Sequence, residues 1–292
     1  AYLELGAVES ARKNLRVAES SGAARNETNA WVQVLLGRID ELENRPDEAR
    51  DRYDYAVRRL GLSEASAEAL LALAEVEALL ERDDASLSAY RQLIDRLDSS
   101  TPTGAVTPER ITQSMLDRAG DRLGVESADA ALRFADLAES IWGITASPAG
   151  VRLAIAQAHA ALANALVPPR DDGSPVRLTE AGLDPATREA ARPHLVKAGA
   201  YYQLHADRVV IDDNEAYGES LWRSADAWDR AGDESSAIAA FRSYADGFPD
   251  SPRRAQAVFR VAQANQSRGE YELAATLYQD LVEAREDRDG GK

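Results

Sequence analysis

The chain has no cysteine, one methionine and three histidines in 292 residues. Disulfides, thiolate zinc sites and cysteine nucleophiles are thereby excluded. Aromatic side chains amount to 6%, too few for a β-sandwich, which draws on aromatic and β-branched residues. No run of about 18 apolar residues occurs, so no membrane-spanning helix is expected. An HExxH helix, a glycine-rich phosphate loop and a GxSxG elbow are all missing from the sequence. No catalytic residue, cofactor or metal site is therefore assigned, and an enzyme is the least favoured reading. The first residues, Ala1-Tyr2-Leu3-Glu4-Leu5, carry neither a methionine nor a basic-then-apolar leader. They fall within a helical pattern, which suggests a piece of a longer protein.

Hydrophobic residues make up 45%, mostly alanine and leucine, and charged residues 29%. That composition favours closely packed helices. The formal charge is −16, from 34 basic and 50 acidic residues. Such a field repels nucleic acid and anionic membranes and attracts basic partners over roughly a Debye length. It also serves plain solubility. Lack of cysteine fits an extracytoplasmic protein, so a periplasmic or envelope-associated place is slightly favoured over the cytoplasm.

Sequence self-similarity is informative. Ala225, Gly232-Asp233, Ala237, Phe241 and Tyr244 reappear 37 residues later as Ala262, Gly269-Glu270, Ala274, Tyr278 and Leu281. Gly37, Ala49, Tyr53 and Val57 reappear at the same interval as Ala74, Ser86, Tyr90 and Ile94. In each unit a small residue of a first helix (A) precedes a small residue of a second helix (B) by 12, and an aromatic follows four later. Positions i, i+4, i+7 and i+8 of helix B share one face. Two small positions let A and B approach closely, and the aromatic fills the space between units. One helix pair cannot bury both of its faces, so units must stack.

These positions resemble the tetratricopeptide repeat, with small residues in both helices, an aromatic in the second and a terminal proline such as Pro249. The family period is about 34; the longer period here is similar to repeats of bacterial cell-envelope proteins. The resemblance implies an all-α, right-handed superhelical solenoid of antiparallel helix pairs, with about 13 helices, continuous over 1–286. Repeats are clear over 30–97 and 216–286 and degenerate over 1–29 and 98–215, and 287–292 is expected to be a disordered tail. Thr107-Pro108, Ser147-Pro148, Asp184-Pro185 and Ser251-Pro252 predict helix starts near 108, 148, 185 and 252. Phe134 and Tyr202 stand where helix-B aromatics belong. A long loop at 167–184 breaks the rhythm. Loops of this length are mobile or functional, and a disordered or simple insertion is favoured over a part in binding.

The resemblance also implies that the A helices line a concave, partner-binding face. In the last two units that face carries Trp222, Arg223, Asp226 and Asp229, then Phe259, Arg260, Gln263 and Gln266. Trp222 with Arg223, and Phe259 with Arg260, repeat on successive rungs and suit a peptide or helix. Packing between repeats, with the arginines bridging nearby acids, is the competing account. In the N-terminal units Trp31, Val34 and Leu71 make an apolar strip among Glu41, Glu68 and Glu75; it suits a partner helix with a basic edge or is simply solvated, and the second reading is favoured. The family's carboxylate clamp is absent, since Asp226, Gln263 and Glu75 occupy its positions.

Other polar clusters carry less. His194 and His205 are eleven residues apart, about 16 Å along one helix, too far for one metal ion, and His159 reads as a packed or rim residue. Asp212-Asp213 with Glu215 lacks the ligand spacing of a calcium loop and reads as a helix cap. Asn26-Glu27-Thr28 and Asn265-Gln266-Ser267 match the glycosylation pattern, and both are discounted. The functional expectation is a scaffold that holds a protein or peptide, with a basic stretch suiting the acidic field. A self-associating structural subunit and a regulatory module of an enzyme lying outside this chain remain as alternatives, and oligomeric state is left open.

Overall fold

The computed structural model describes residues 7–20, 26–59, 61–99, 103–124 and 126–290. Among them are thirteen α-helices and no strand. The chain is an all-α helical-repeat solenoid, divided into two compact units: residues 1–122 with 133–146, and residues 123–132 with 147–292.

The first unit contains α1 (Val8–Ser20), α2 (Asn26–Leu42), α3 (Pro46–Arg59), α4 (Glu64–Leu79), α5 (Asp83–Asp98), α6 (Pro108–Gly124, up to residue 122) and most of α7 (Ala128–Ala146). The small positions act as the spacing demands. A Cβ on Gly37 would lie 2.4 Å from Cε1 of Tyr53, so only glycine admits the ring that α3 lays against α2. One period on, Ser86 of α5 donates to the carbonyl of Ala74 in α4 at 2.7 Å. Tyr53, Tyr90 and Phe134 are all fully buried, each ring removing apolar area worth about 1.5–3 kcal/mol from water. Tyr90 and Phe134 meet edge to face at 6.2 Å, a favoured arrangement of ring quadrupoles.

Local signals set the ends. Ser63 and Ser66 form a reciprocal capping box at α4, and Thr107 accepts from the Arg110 N–H at 3.3 Å where α6 begins at Pro108. Helix α7 breaks at Gly143, whose φ of 68° and ψ of 160° suit glycine alone.

The second unit contains α8 (Ala149–Leu166), α9 (Pro185–Val209), α10 (Asn214–Ala231), α11 (Glu234–Gly247), α12 (Arg254–Ser267) and α13 (Tyr271–Gly290). Asp184, Asp213 and Asp233 cap α9, α10 and α11 by accepting the N–H three residues on. Asp213 is thus a cap, as its sequence context suggests. Two starts differ from expectation. Pro148 is itself the N-cap of α8 and no side chain caps that helix, leaving Ser147 Oγ buried without a partner. Helix α12 begins at Arg254 because Ser251 turns the chain, accepting the Arg253 N–H at 3.2 Å and pairing with Tyr244 Oη at 2.8 Å. Residues 287–290, expected in a disordered tail, continue α13, and 291–292 lie outside the described residues.

The largest departure is the loop at 167–184, which is packed rather than loose. Leu178 is fully buried among Ala163, Val167, Ala191, Leu195 and Ala231, and its N–H donates to the Arg230 carbonyl at 2.8 Å. Gly232, the left-handed C-cap of α10 at φ 75°, lets Thr179 come close: a Cβ there would meet Thr179 Cγ2 at 2.8 Å.

Candidate partner-binding face

Two A helices of the second unit carry all eight candidate residues. Trp222, Asp226 and Asp229 are spaced i, i+4, i+7 on α10, and Phe259, Gln263 and Gln266 repeat that spacing on α12. They share one face of each helix. Each leading aromatic packs on its own helix-B aromatic: Trp222 lies 5.5 Å from Phe241, and Phe259 lies 5.7 Å from Tyr278. Trp222 also contacts Tyr244 at 5.3 Å and is half-buried, whereas Phe259 is 43% exposed. Tyr278 Oη donates to Gln266 at 3.1 Å.

The charged residues fall into two bridged sets. Glu219 accepts from Arg223 at 2.8 Å and from Arg253 at 2.7 Å, and the Arg253 guanidinium stands 5.3 Å from the Trp222 ring centre. Asp229 is held by Arg177 of the loop at 2.8 Å and by Arg260 at 3.2 Å. In each set one carboxylate joins two arginines from different elements. Although burial pushes the Glu219 carboxyl up, its two arginine bonds bring it below the usual range. Asp229 is raised by burial, only partly offset by Arg177.

Asp226 differs from both. Its carboxylate forms no hydrogen bond or ion pair among the described residues, and burial raises its pKa, with Arg230 opposing from a distance. Arg230 points elsewhere, its guanidinium near the Val176 and Val167 carbonyls at 3.4 and 3.5 Å.

Two cavities open on this face. One of about 250 Å³ lies against Asn164, Tyr202, Trp222, Arg223, Asp226 and Arg253. The other, about 240 Å³, lies against Arg177, Thr179, Asp229, Glu234, Arg260 and Gln263. The loop therefore forms a wall of the second cavity. Sequence reasoning missed Arg177, Arg253 and Glu219. Glu219 sits four residues before Arg223 and was detectable as a helical ion pair; nothing periodic marks Arg177.

The first unit's A-helix face is closed. Trp31 is exposed at its edge, but Val34 and Leu71 are buried, so the expected apolar strip does not form. Glu68 binds Arg110 bidentately, and Glu75 accepts from Arg38 at 3.2 Å and Ser114 at 3.0 Å.

The histidines do not cluster about one point. His159 and His194 place their Nδ1 atoms 3.0 Å apart between α8 and α9, while His205 pairs with Ser220 at 2.7 Å. Burial, then Lys197 and His194, depress the His159 pKa to about 4, so the ring is neutral at pH 7. Among the described residues no three His, Cys, Asp or Glu side chains gather as a metal site. Asn265 is buried mid-helix, which suits no glycan.

Residues 219–251, covering most of α10 and all of α11, match the family model of the tetratricopeptide repeat. No curated protein matches the chain. Similar solved structures include a tetratricopeptide repeat protein from Parabacteroides merdae, 15% identical, covering 97% of this chain and 88% of its own, with a TM-score of 0.43. Another is the TPR2AB domain of yeast Sti1 in complex with pHSP90, 15% identical, covering 89% and 95%, with a TM-score of 0.35. The α10–α11 pair is thus the part of the chain that is similar to a tetratricopeptide repeat.

Proposed function

We propose that the second unit is a protein-interaction module that holds an extended or helical segment of another protein across α8, α10 and α12. The observation that carries this reading is the pair of neighbouring cavities, each lined by candidate residues and together by helices α8 to α12 and the loop at 167–184. Trp222 and Phe259 offer partly exposed aromatic surface, and anchors of this type in pockets dominate interface energies. Asp226 supplies the polar specificity. A half-buried carboxylate without a partner is partly desolvated at a cost, and a lysine or arginine of a bound segment relieves that cost. A basic residue set beside an apolar one therefore suits the first cavity. The structure of the Sti1 domain with pHSP90 is a precedent for a repeat protein holding another protein.

Selection from a displayed peptide library tests the reading. The native chain is expected to enrich peptides with a lysine or arginine next to an apolar residue, and Asp226→Asn to lose the basic preference. Trp222→Ala with Phe259→Ala is expected to abolish enrichment while the far-ultraviolet circular dichroism stays helical. No enriched family, or one unaffected by these changes, overturns the assignment.

A further inference from the structure

Residues 174–177 belong to no helix or turn, and with Leu178 they lie against the end of α10 as a foreign segment would. Arg230 holds their backbone twice: its carbonyl accepts the Leu178 N–H at 2.8 Å, and its guanidinium donates to the Val176 carbonyl at 3.4 Å. Leu178 fills an apolar core with Leu195 and Ala231. Arg177, between two apolar neighbours, donates through Nε to Asp229 at 2.8 Å. A basic side chain on an α10 carboxylate, flanked by apolar ones, is the chemistry proposed above for a partner at Asp226. The second cavity also balances its charge only through the loop. Its lining carries two guanidiniums, Arg177 and Arg260, and two carboxylates, Asp229 and Glu234. Without Arg177 one negative charge is left over.

We propose that residues 176–178 are a built-in stand-in for the partner, and that a partner segment with two basic residues expels Arg177 from Asp229. The inference rests on the partner-binding reading of Asp226. Asp226 precedes Asp229 by three residues on α10, about 4.5 Å along the helix. One of these two carboxylates is filled by the chain's own arginine, and the other has no ion pair among the described residues. Successive residues of an extended segment are about 3.3 Å apart, so basic residues that are adjacent or one apart reach both. The loop is then a competitor as well as a wall. A segment with one basic residue binds beside it. A segment with two must displace it, and its apparent affinity falls by the fraction of chains in which Asp229 is open.

The direct test uses a labelled synthetic peptide of residues 174–180 carrying Pro175→Lys, which sets two basic residues one apart. It is titrated into the native chain, Arg177→Ala, and Arg177→Ala with Asp229→Asn. Binding to Arg177→Ala is expected to be about ten-fold tighter than to the native chain, and Asp229→Asn to remove that gain. In the native chain, saturating peptide is expected to speed amide exchange at Leu178, because the loop is expelled. Circular dichroism checks that Arg177→Ala stays folded; if it does not, exchange in the native chain decides. Equal affinity for the native chain and Arg177→Ala overturns the proposal, as does slower exchange at Leu178, which makes the loop a wall alone. No binding to any chain, where the library selection succeeds, overturns this proposal and leaves the partner-binding reading standing. Failure of both overturns both.

Discussion

The A-helix faces of the two units were built from the same register and ended differently. In the first unit every acid named on that face is tied: Glu41 accepts from Tyr53 at 2.9 Å, Glu68 holds Arg110, and Glu75 holds Arg38 and Ser114. In the second, the loop and the residues before α12 bring extra arginines, cavities remain, and Asp226 is left without a partner among the described residues. A tied face gains stability and gives up groups that a ligand could meet. An untied one holds them in reserve. A face where the register is kept but a carboxylate is left unsatisfied is therefore the candidate site of this chain.

The strongest way to break this comparison is at the centre of the closed unit. Tyr53→Ala removes a fully buried ring and the hydrogen bond to Glu41, with an expected loss of roughly 3–5 kcal/mol in denaturant unfolding. A loss under about 1 kcal/mol would show that this face is looser than its packing indicates. The next effect concerns the wall of the open unit. Leu178→Ala is expected to weaken loop docking by about 2–5 kcal/mol, read as faster amide exchange and proteolysis across 168–177. If exchange there is already fast in the native chain, the loop is no wall.

The smallest effect has the sharpest sign. The folded-state pKa of Asp226 is raised above its unfolded value, so the native state binds its proton more tightly and ionisation costs stability. Asp226→Asn is therefore expected to raise the melting temperature at neutral pH. That gain shrinks as pH falls through the raised pKa and vanishes below the ordinary aspartate range. Glu75→Gln in the first unit is expected to do the reverse at neutral pH, by roughly 1 kcal/mol or less. Destabilisation by Asp226→Asn would mean that the two faces are equally tied.

Much of the fold was legible because its signals are local or periodic. Tyr53, Tyr90, Phe134, Tyr202 and Phe241 are buried where their place in helix B predicted. A large ring beside a small residue is a demand that sequence states directly. Asp184 and Asp213 were legible as caps for the same reason. The exposed strip of Val34 and Leu71 was misread because alanine-rich helices are apolar nearly all round: most of α4 is buried, so periodicity cannot tell its faces apart. Of the candidate site, the α10 and α12 residues came from the repeat. Arg177, however, reaches Asp229 across 52 positions, and a pairing of that range leaves no trace in a single sequence.

The docked loop also bears on how such a chain can diverge. Its hold on the scaffold rests on the buried Leu178 and its backbone hydrogen bond, the Arg177–Asp229 ion pair, and a glycine that lets it approach. None of these dictates the length or composition of the exposed stretch from Pro168 to Gly173. Lineages can lengthen or rewrite that stretch without disturbing a single helix contact. The make-up of that stretch and the stability of the helices are then free to change on separate mutations.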